Sequence, residues 1–483
     1  MTFARGGVAC LKCEETMNQR LSSKVAIART REKHRSPARV TDLVRESIDL
    51  LGGMSSYVKP GDTVLLKPNL TVFYSAEEGC TTDPLVVGAL IRLAKEAGAA
   101  RVVVGESSGE FFSSIECMNI TGVAAVAERE GAEIVDLGSS DTPSRDVRIS
   151  SGEIVPRPVP LLKADVIINV PKAKTHHYEP VSGALKNWMG TCDQAWRQHH
   201  HGDDDSIARF VSIMAHRKPD LNVVDALIAG EGDGPIANQP HWCGCIVASE
   251  DPVATDVAIA RLLGQENSKI SFKYAAEGER QGLGTRTDIE YLGVPIDDAK
   301  INAWTGHEGF DYLPFNFLVG TGVSLAGTIG HVKSAIDSML RRGELRNLIW
   351  LKGTPTIMIG NIVDPNFDQH LSEGPYLVFD DAARPEYKND ARVHFVPGHP
   401  VLRDAMTGLL KGFGADGYLG GQAIMKLQQF QRWGQHNVEY GTVARRVITI
   451  AKPVAAAALV AAGVVGAIVY SKSWSRPRND SSR

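Results

Sequence analysis

Three things are scarce in this sequence, and each scarcity closes off a class of protein. Cysteine is the first: 7 thiols among 483 residues are odd in number and thinly spread, which argues against a secreted disulfide framework and for a reducing compartment. A basic surplus is the second. With 52 basic and 56 acidic residues the formal charge is -4, so there is no positive field of the kind phosphate-backbone binding needs, and nucleic acid is not expected as a partner. Long apolar runs are the third. The opening MTFARGGVACLKCEETMNQR holds none of signal-peptide length, and the main body is expected in the cytoplasm.

One apolar run is present near the carboxyl end. PVAAAALVAAGVVGAIVY, residues 453–470, is 18 residues without a charge, preceded by Arg445, Arg446 and Lys452 and followed by Lys472, Arg476 and Arg478. Its length is at the short end of what crosses a bilayer, so a C-terminal apolar helix anchoring the chain to a membrane is expected, with a buried alanine-rich packing helix as the alternative.

The rest has an ordinary soluble composition, 43% apolar and 22% charged, and is long enough for more than one core. Residues 1–23 read as a leader. From Lys24 strands and helices alternate: Asp62-Thr-Val-Leu-Leu-Lys67 is a buried strand, and Asp83-Pro84 with LVVGALIRLAKEA and Gly98 is a capped helix. Strands at Arg101, Glu133, Leu221 and Gly244, and a helix capped by Asp251-Pro252, continue the pattern. The fold class this predicts is α/β: an open, mostly parallel sheet with helices on both faces over residues 24–301. A second, smaller α/β domain is expected over 302–446, with strands at Phe315–Val319, Thr356–Ile359 and Val393–Val396 and a helix from Thr328 to Arg342. Residues 447–483 hold the apolar helix and a basic tail.

In open α/β sheets ligands sit beyond the carboxyl ends of the strands. Four strands here end in polar sets: VLLKPN with Lys67 and Asn69; VVVGESSG with Glu106, Ser107 and Ser108; VIINVPKAKTHH with Lys172, Lys174, His176 and His177; and VVDALIAGEGDGP with Asp225, Glu231 and Asp233. Lysines suit a carboxylate or phosphate, and a histidine moves protons near neutrality. On an extended segment His176 and His177 point to opposite sides, so only one is expected to enter the crevice. SGALKNWMG adds Lys186 and Asn187, with Trp188 read as packing.

Three further patterns invite chemistry. HHHGDDD, His199 to Asp205, is a secondary metal candidate or an exposed helix start. Cys10, Cys13, Cys243 and Cys245 could supply four thiolates, although their separation makes an iron-sulfur cluster a poor expectation. VGTGVSLAGTIGHVK, Val319 to Lys333, could cradle a phosphate but lacks the glycine spacing of a dinucleotide site.

Taken together, KPN, the helix after TTDP, VVVGESSG, PKAKTHHYEPVSGALKNWMG, NVVDALIAGEGDGP and ASEDPVATDVAIARLLG, in this order, resemble the family catalogued as domain of unknown function 362, over roughly residues 24–300. The resemblance implies distant similarity to nickel-pincer lactate racemases, and many members carry a ferredoxin-like cysteine segment that implies redox work. This sequence has no C-x-x-C-x-x-C-x-x-x-C-P run, so that segment is missing. The motif positions that carry over are Lys67, Asn69, Glu106, Lys174, His176, Lys186, Asn187, Asp225, Glu231 and Asp251, the last being explained as a helix cap.

The resulting expectation is an enzyme, metal-dependent or redox-linked, acting on a small anionic substrate at the sheet's carboxyl edge. Lys174, His176 and Lys186 are its catalytic candidates; Lys67, Asn69, Ser107, Ser108, Lys172 and Asn187 would bind substrate; and Glu106, Asp225, Glu231 and Asp233 would hold a divalent metal. The alternative is a membrane-tethered, non-catalytic binding or assembly module for a redox partner.

Overall fold

A computed structural model describes residues 23–413, apart from 110–112, 202–204, 307–312, 314, 324, 342–351 and 401. Cys10, Cys13 and the apolar run 453–470 lie outside the described residues. Among those described, no helix is long and apolar enough to cross a membrane.

The large sheet has ten strands. In chain order the strands are β1 (Ser23–Arg29), β2 (Thr63–Pro68), β3 (Arg101–Glu106), β4 (Glu133–Asp136), a separate hairpin of β5 (Ser144–Arg148) and β6 (Ile154–Pro158), then β7 (Val166–Val170), β8 (Lys172–Thr175), β9 (Val181–Ser182), β10 (Leu221–Asp233), β11 (Ala237–Ser249) and β12 (Ile289–Gly293). The spatial order is β12-β1-β11-β10-β7-β2-β3-β4, with β8 and β9 branching from β10. Pairing from β10 through β7, β2 and β3 to β4 is parallel, and only β11 runs against both its neighbours. Consecutive residues Val64, Leu65 and Leu66 are all buried, so both faces of β2 are covered, as a parallel sheet requires.

The sequence signals that placed the helices act as expected at two caps. Asp83 accepts from the Leu85 N–H at the start of Pro84–Glu96, and Asp251 accepts from Val253 and Ala254 at the start of Pro252–Leu262. Proline at the first helical position costs no hydrogen bond there.

Four more strands, β13 (Asn316–Val319), β14 (Thr356–Ile359), β15 (Tyr376–Phe379) and β16 (His394–Val396), form a second, all-parallel sheet in sequential order. Its residues alternate between two cores: Ile357, Ile359, Leu377 and Phe379 on one face, Met358, Tyr376 and Val378 on the other. The first face is closed by the helix Gly330–Arg341, which presents Val332, Ala335, Ile336 and Met339 at helical spacing. This sheet belongs to the same compact unit as the large one. Short apolar YLVF was not read as a strand from the sequence, because four apolar residues carry no periodicity of their own.

Candidate functional site

Lys67 is the penultimate residue of β2 and Glu106 the last of β3, and the adjacent parallel strands bring them into a fully buried ion pair at 2.8 Å. Glu106 also accepts the Leu70 and Ser107 N–H groups at 2.7 and 2.8 Å. Gly190 leaves room for this pair, since a Cβ there would collide with the Glu106 carboxylate, stand 2.5 Å from Lys67 Nζ and push the ion pair aside. Asn187, at the end of the short helix Ala184–Asn187, accepts from Lys67 Nζ at 3.0 Å and from Asn69 Nδ2 at 2.9 Å. Its own amide donates to Asn169 (2.8 Å), Asn169 to Asn222 (2.9 Å), and Asn222 to the Ser249 carbonyl (3.1 Å). A ladder of carboxamides therefore crosses four central strands beneath the site.

Over these strand ends lies a cavity of about 140 Å³. The large sheet contributes Lys67, Asn69, Glu106 and Ser107 to its wall; the segment after β8 contributes His176, His177, Tyr178, Lys186 and Asn187. Arg197, on the helix Gln194–His200, and His201 just beyond it form a third side. Gly330, His331 and Ser334, from the helix of the small sheet, form the fourth.

Glu106 is the only carboxylate of a described residue in the lining, against Lys67, Lys186 and Arg197. Lys67 is compensated by Glu106. Lys186 instead donates to the Tyr178 hydroxyl at 2.7 Å and lies over the rings of Tyr178 and Tyr274, 4.8 and 5.4 Å from their centroids. Burial lowers its ammonium to about 8, with Lys174 and Arg197 adding to the effect and Glu179 opposing it. Arg197 donates to the Ser107 carbonyl (2.6 Å) and hydroxyl (3.0 Å) and to the Ser108 carbonyl.

The two adjacent histidines both line the cavity, contrary to the expectation that only one could. They follow β8 rather than continuing it, so the two-residue alternation of a strand stops at Thr175, and their rings stack 4.6 Å apart. Their hydrogen bonds assign opposite roles. His177 Nδ1 meets the Gly234 carbonyl at 2.8 Å, which must accept, so Nδ1 carries the proton and Nε2 is a bare lone pair, buried without a partner. His176 Nδ1 accepts the Tyr178 N–H at 3.3 Å, which leaves its proton on Nε2. Burial keeps both rings neutral, holding His177 down to about 3 and His176 well below the usual imidazole range.

Several residues predicted as substrate or metal ligands are placed elsewhere. Lys172 and Asp225 are paired at 2.8 Å with no exposure, and Asp225 also accepts the Asp83 and Leu227 N–H groups. Neither residue is in the cavity lining. Lys174 lies behind the wall, donating to Asn69 Oδ1 (3.1 Å) and the Cys80 carbonyl (2.7 Å). Ser108 is likewise held back by Arg197. Glu231 binds His241 at 3.0 Å and the Trp304 N–H at 3.0 Å, and Asp233 faces Lys333 at 3.8 Å. β10 runs on to Asp233, paired with β11 as a long hairpin, so both acids sit on paired strand; neither is in the cavity lining, although Gly234 beside Asp233 bonds His177 and Pro235 and Ile236 line the wall.

Glu106, Asp225, Glu231 and Asp233 thus do not converge, and among the described residues no group of three or more histidines, cysteines or acids is arranged to hold a metal ion. These residues do not fit the divalent site expected of them. Cys243 and Cys245 are buried on β11, where the Cys245 contact and burial push the Cys243 thiol well up, away from a thiolate ligand. Of the described residues of HHHGDDD, His201 reaches the cavity, and 202–204 lie outside the described residues. The glycine cluster precedes a helix as expected, starting at Gly330, and it delivers Gly330 and His331 to the wall.

Four neutral imidazoles make the fold sensitive to acid. His176, His177, His201 and His331 all titrate below the ordinary value, His331 at about 4, so between roughly pH 6.5 and their native values the unfolded chain binds more protons. Stability is therefore full above pH 6.5 and falls on acidification, by up to about 1.4 kcal/mol per pH unit for each ring. Thermal melting followed from pH 7.5 to 4.5 should show a steep decline beginning near 6.5; a flat profile to pH 5 would contradict the assignment.

The fold and cavity define a mixed α/β protein with a cationic, histidine-lined pocket at the edge of a largely parallel sheet. The family described as Domain of unknown function (DUF362) matches residues 64–261. A thylakoid-associated protein of Synechocystis sp. is 31% identical over 269 residues, which are 53% of this chain and 79% of that protein. The chain belongs to the domain of unknown function 362 family. Among solved structures, the lactate racemase apoprotein from Thermoanaerobacterium thermosaccharolyticum aligns over 81% of this chain and 91% of its own, at 9% identity and a TM-score of 0.33. A protein from Thermotoga maritima aligns over 70% and 76%, at 12% identity and 0.31. Overlaps this low leave the family assignment to rest on the first two matches.

Proposed function

We propose that the chain is an enzyme that binds a small anion in this cavity and performs general acid-base chemistry on it. The observation that carries the reading is His177 Nε2, a buried lone pair with no partner, in a wall where three cations face one carboxylate. Lys186 and Arg197 attract the anionic group, Lys67 and Asn187 support it, and the volume admits only a small molecule. His177 Nε2 takes a proton from the bound molecule and can return it, while the neutral His176 keeps its proton and offers Nε2–H as a hydrogen-bond donor, so the two rings act as proton acceptor and hydrogen-bond donor from a single loop. An imidazole with so low an affinity for protons is a weak base in the empty site; a bound anion raises it by adding negative charge beside the ring. No metal step is invoked, since the acids expected to hold one are engaged elsewhere.

Anion binding should follow the charge of Lys186. Titration of the full chain with inorganic phosphate or with acetate, monitored by amide shifts, is expected to give saturable binding, and with acetate, whose charge is constant there, the affinity should be level from pH 6.5 to 7.5. Above about 8 the Lys186 ammonium loses its proton, and affinity should fall by up to about tenfold per pH unit. Absence of saturable binding by either anion, or an affinity unchanged to pH 9.5, would overturn the proposal.

A further inference from the structure

His331 stands on the small sheet's helix, yet its Nε2 lies 2.8 Å from His201 Nδ1. Two neutral imidazoles at that distance share one proton, so one ring donates and the other accepts. The Lys186 end decides which. Its ammonium can only donate, so the Tyr178 hydroxyl accepts from it at 2.7 Å and has its own proton free for His201 Nε2, 3.5 Å away. A neutral His201 that accepts at Nε2 carries its proton on Nδ1 and donates it to His331 Nε2, which accepts. His331 then keeps its own proton on Nδ1, and the Pro400 backbone, which has a carbonyl but no N–H, favours a protonated ring.

We propose that His331 is a positioning residue for Lys186: by accepting from His201 it fixes one donor-to-acceptor order, from Lys186 through Tyr178, His201 and His331 to the Pro400 carbonyl, and so aims the ammonium. The inference deepens the anion-binding reading, on which the purpose of Lys186 rests, but the order of protons stands independently of any ligand. It also assigns the small sheet a part in the site. Gly330 and Ser334 beside His331 share the wall, so the helix of one sheet completes a pocket based on the other.

The test reads the order directly. In full-length protein carrying 15N-histidine, two-bond proton-nitrogen spectra at pH 7.5, without added anion, should show both His201 and His331 as Nδ1–H tautomers. In His331→Leu the acceptor is gone and His201 should shift to Nε2–H, with the Tyr178 proton displaced; phosphate affinity should drop about fivefold. His331→Gln retains an acceptor oxygen and should restore both the His201 tautomer and most of the affinity. A wild-type His201 protonated on Nε2 overturns the inference by itself, whether or not the leucine variant folds. An unchanged His201 tautomer in a folded His331→Leu protein overturns it as well. Correct tautomers with no phosphate binding in wild type would instead sink the anion reading and leave the proton order standing.

Discussion

Replacing Asp225 with alanine is expected to lower the unfolding free energy by about 3–5 kcal/mol, because it leaves the Lys172 ammonium charged, without exposure and without its partner. The same change frees the Asp83 and Leu227 N–H groups that the carboxylate accepts. Urea denaturation is the measurement: the midpoint should fall with little change in slope. The double variant Lys172→Met with Asp225→Asn should recover most of the loss, since it removes both buried charges and keeps an acceptor oxygen. Neither residue lines the cavity, so phosphate binding by the folded double variant should match wild type. A double variant that folds but no longer binds would return Lys172 to the role the sequence suggested for it.

Lys186→Met is expected to weaken phosphate binding by about 30- to 100-fold, equivalent to roughly 2–2.7 kcal/mol for a charge-assisted contact in a cavity shielded from water. Methionine keeps the length and apolar stem of the side chain, and the lost charge is one that burial already disfavours. Stability should therefore be unchanged or slightly higher, which separates a binding defect from a folding defect. Lys174→Met is the informative contrast. Its Nζ serves Asn69 and the Cys80 carbonyl from behind the wall, so its removal should cost stability first and affinity only through Asn69. Equal affinity losses in the two variants would mean that the cavity wall has been drawn in the wrong place.

Much of this site was legible because buried parallel strands are nearly continuous apolar runs, and the residue that interrupts the run marks the edge. Lys67, Asn69, Glu106, Ser107 and His176 were found this way, and the following SGALKNWMG added Lys186 and Asn187. What the sequence could not separate was the part each lysine plays: Lys172 and Lys174 are two residues apart, and only the register of β8 on β10 places Lys172 opposite Asp225 and Lys174 opposite Gly230. Arg197 was out of reach, and His201 and His331 were noticed only inside HHHGDDD and the glycine cluster, not as parts of this site, for a different reason. Each arrives from a helix or a turn whose direction is set by tertiary packing, and His331 lies some 130 positions beyond its partner. The two acids of β10 were misplaced because Gly230, Gly232 and Gly234 look like a loop, whereas the chain there is paired with β11 almost to the turn.

The carboxamide ladder has an electrical polarity. Its far end is the Ser249 carbonyl, which can only accept, so every amide is oriented in turn: Asn222, Asn169, Asn187 and Asn69 each give their NH2 away from the cavity and turn their oxygen back toward it. The last two oxygens receive Lys67 and Lys174. Four aligned bond dipoles, each polarising the next, thereby present their negative ends to two buried ammonium groups. This is a counter-charge made without a second carboxylate: the dipoles ease two buried ammonium groups while adding no net charge, so the formal count in the cavity wall stays at three cations to one acid.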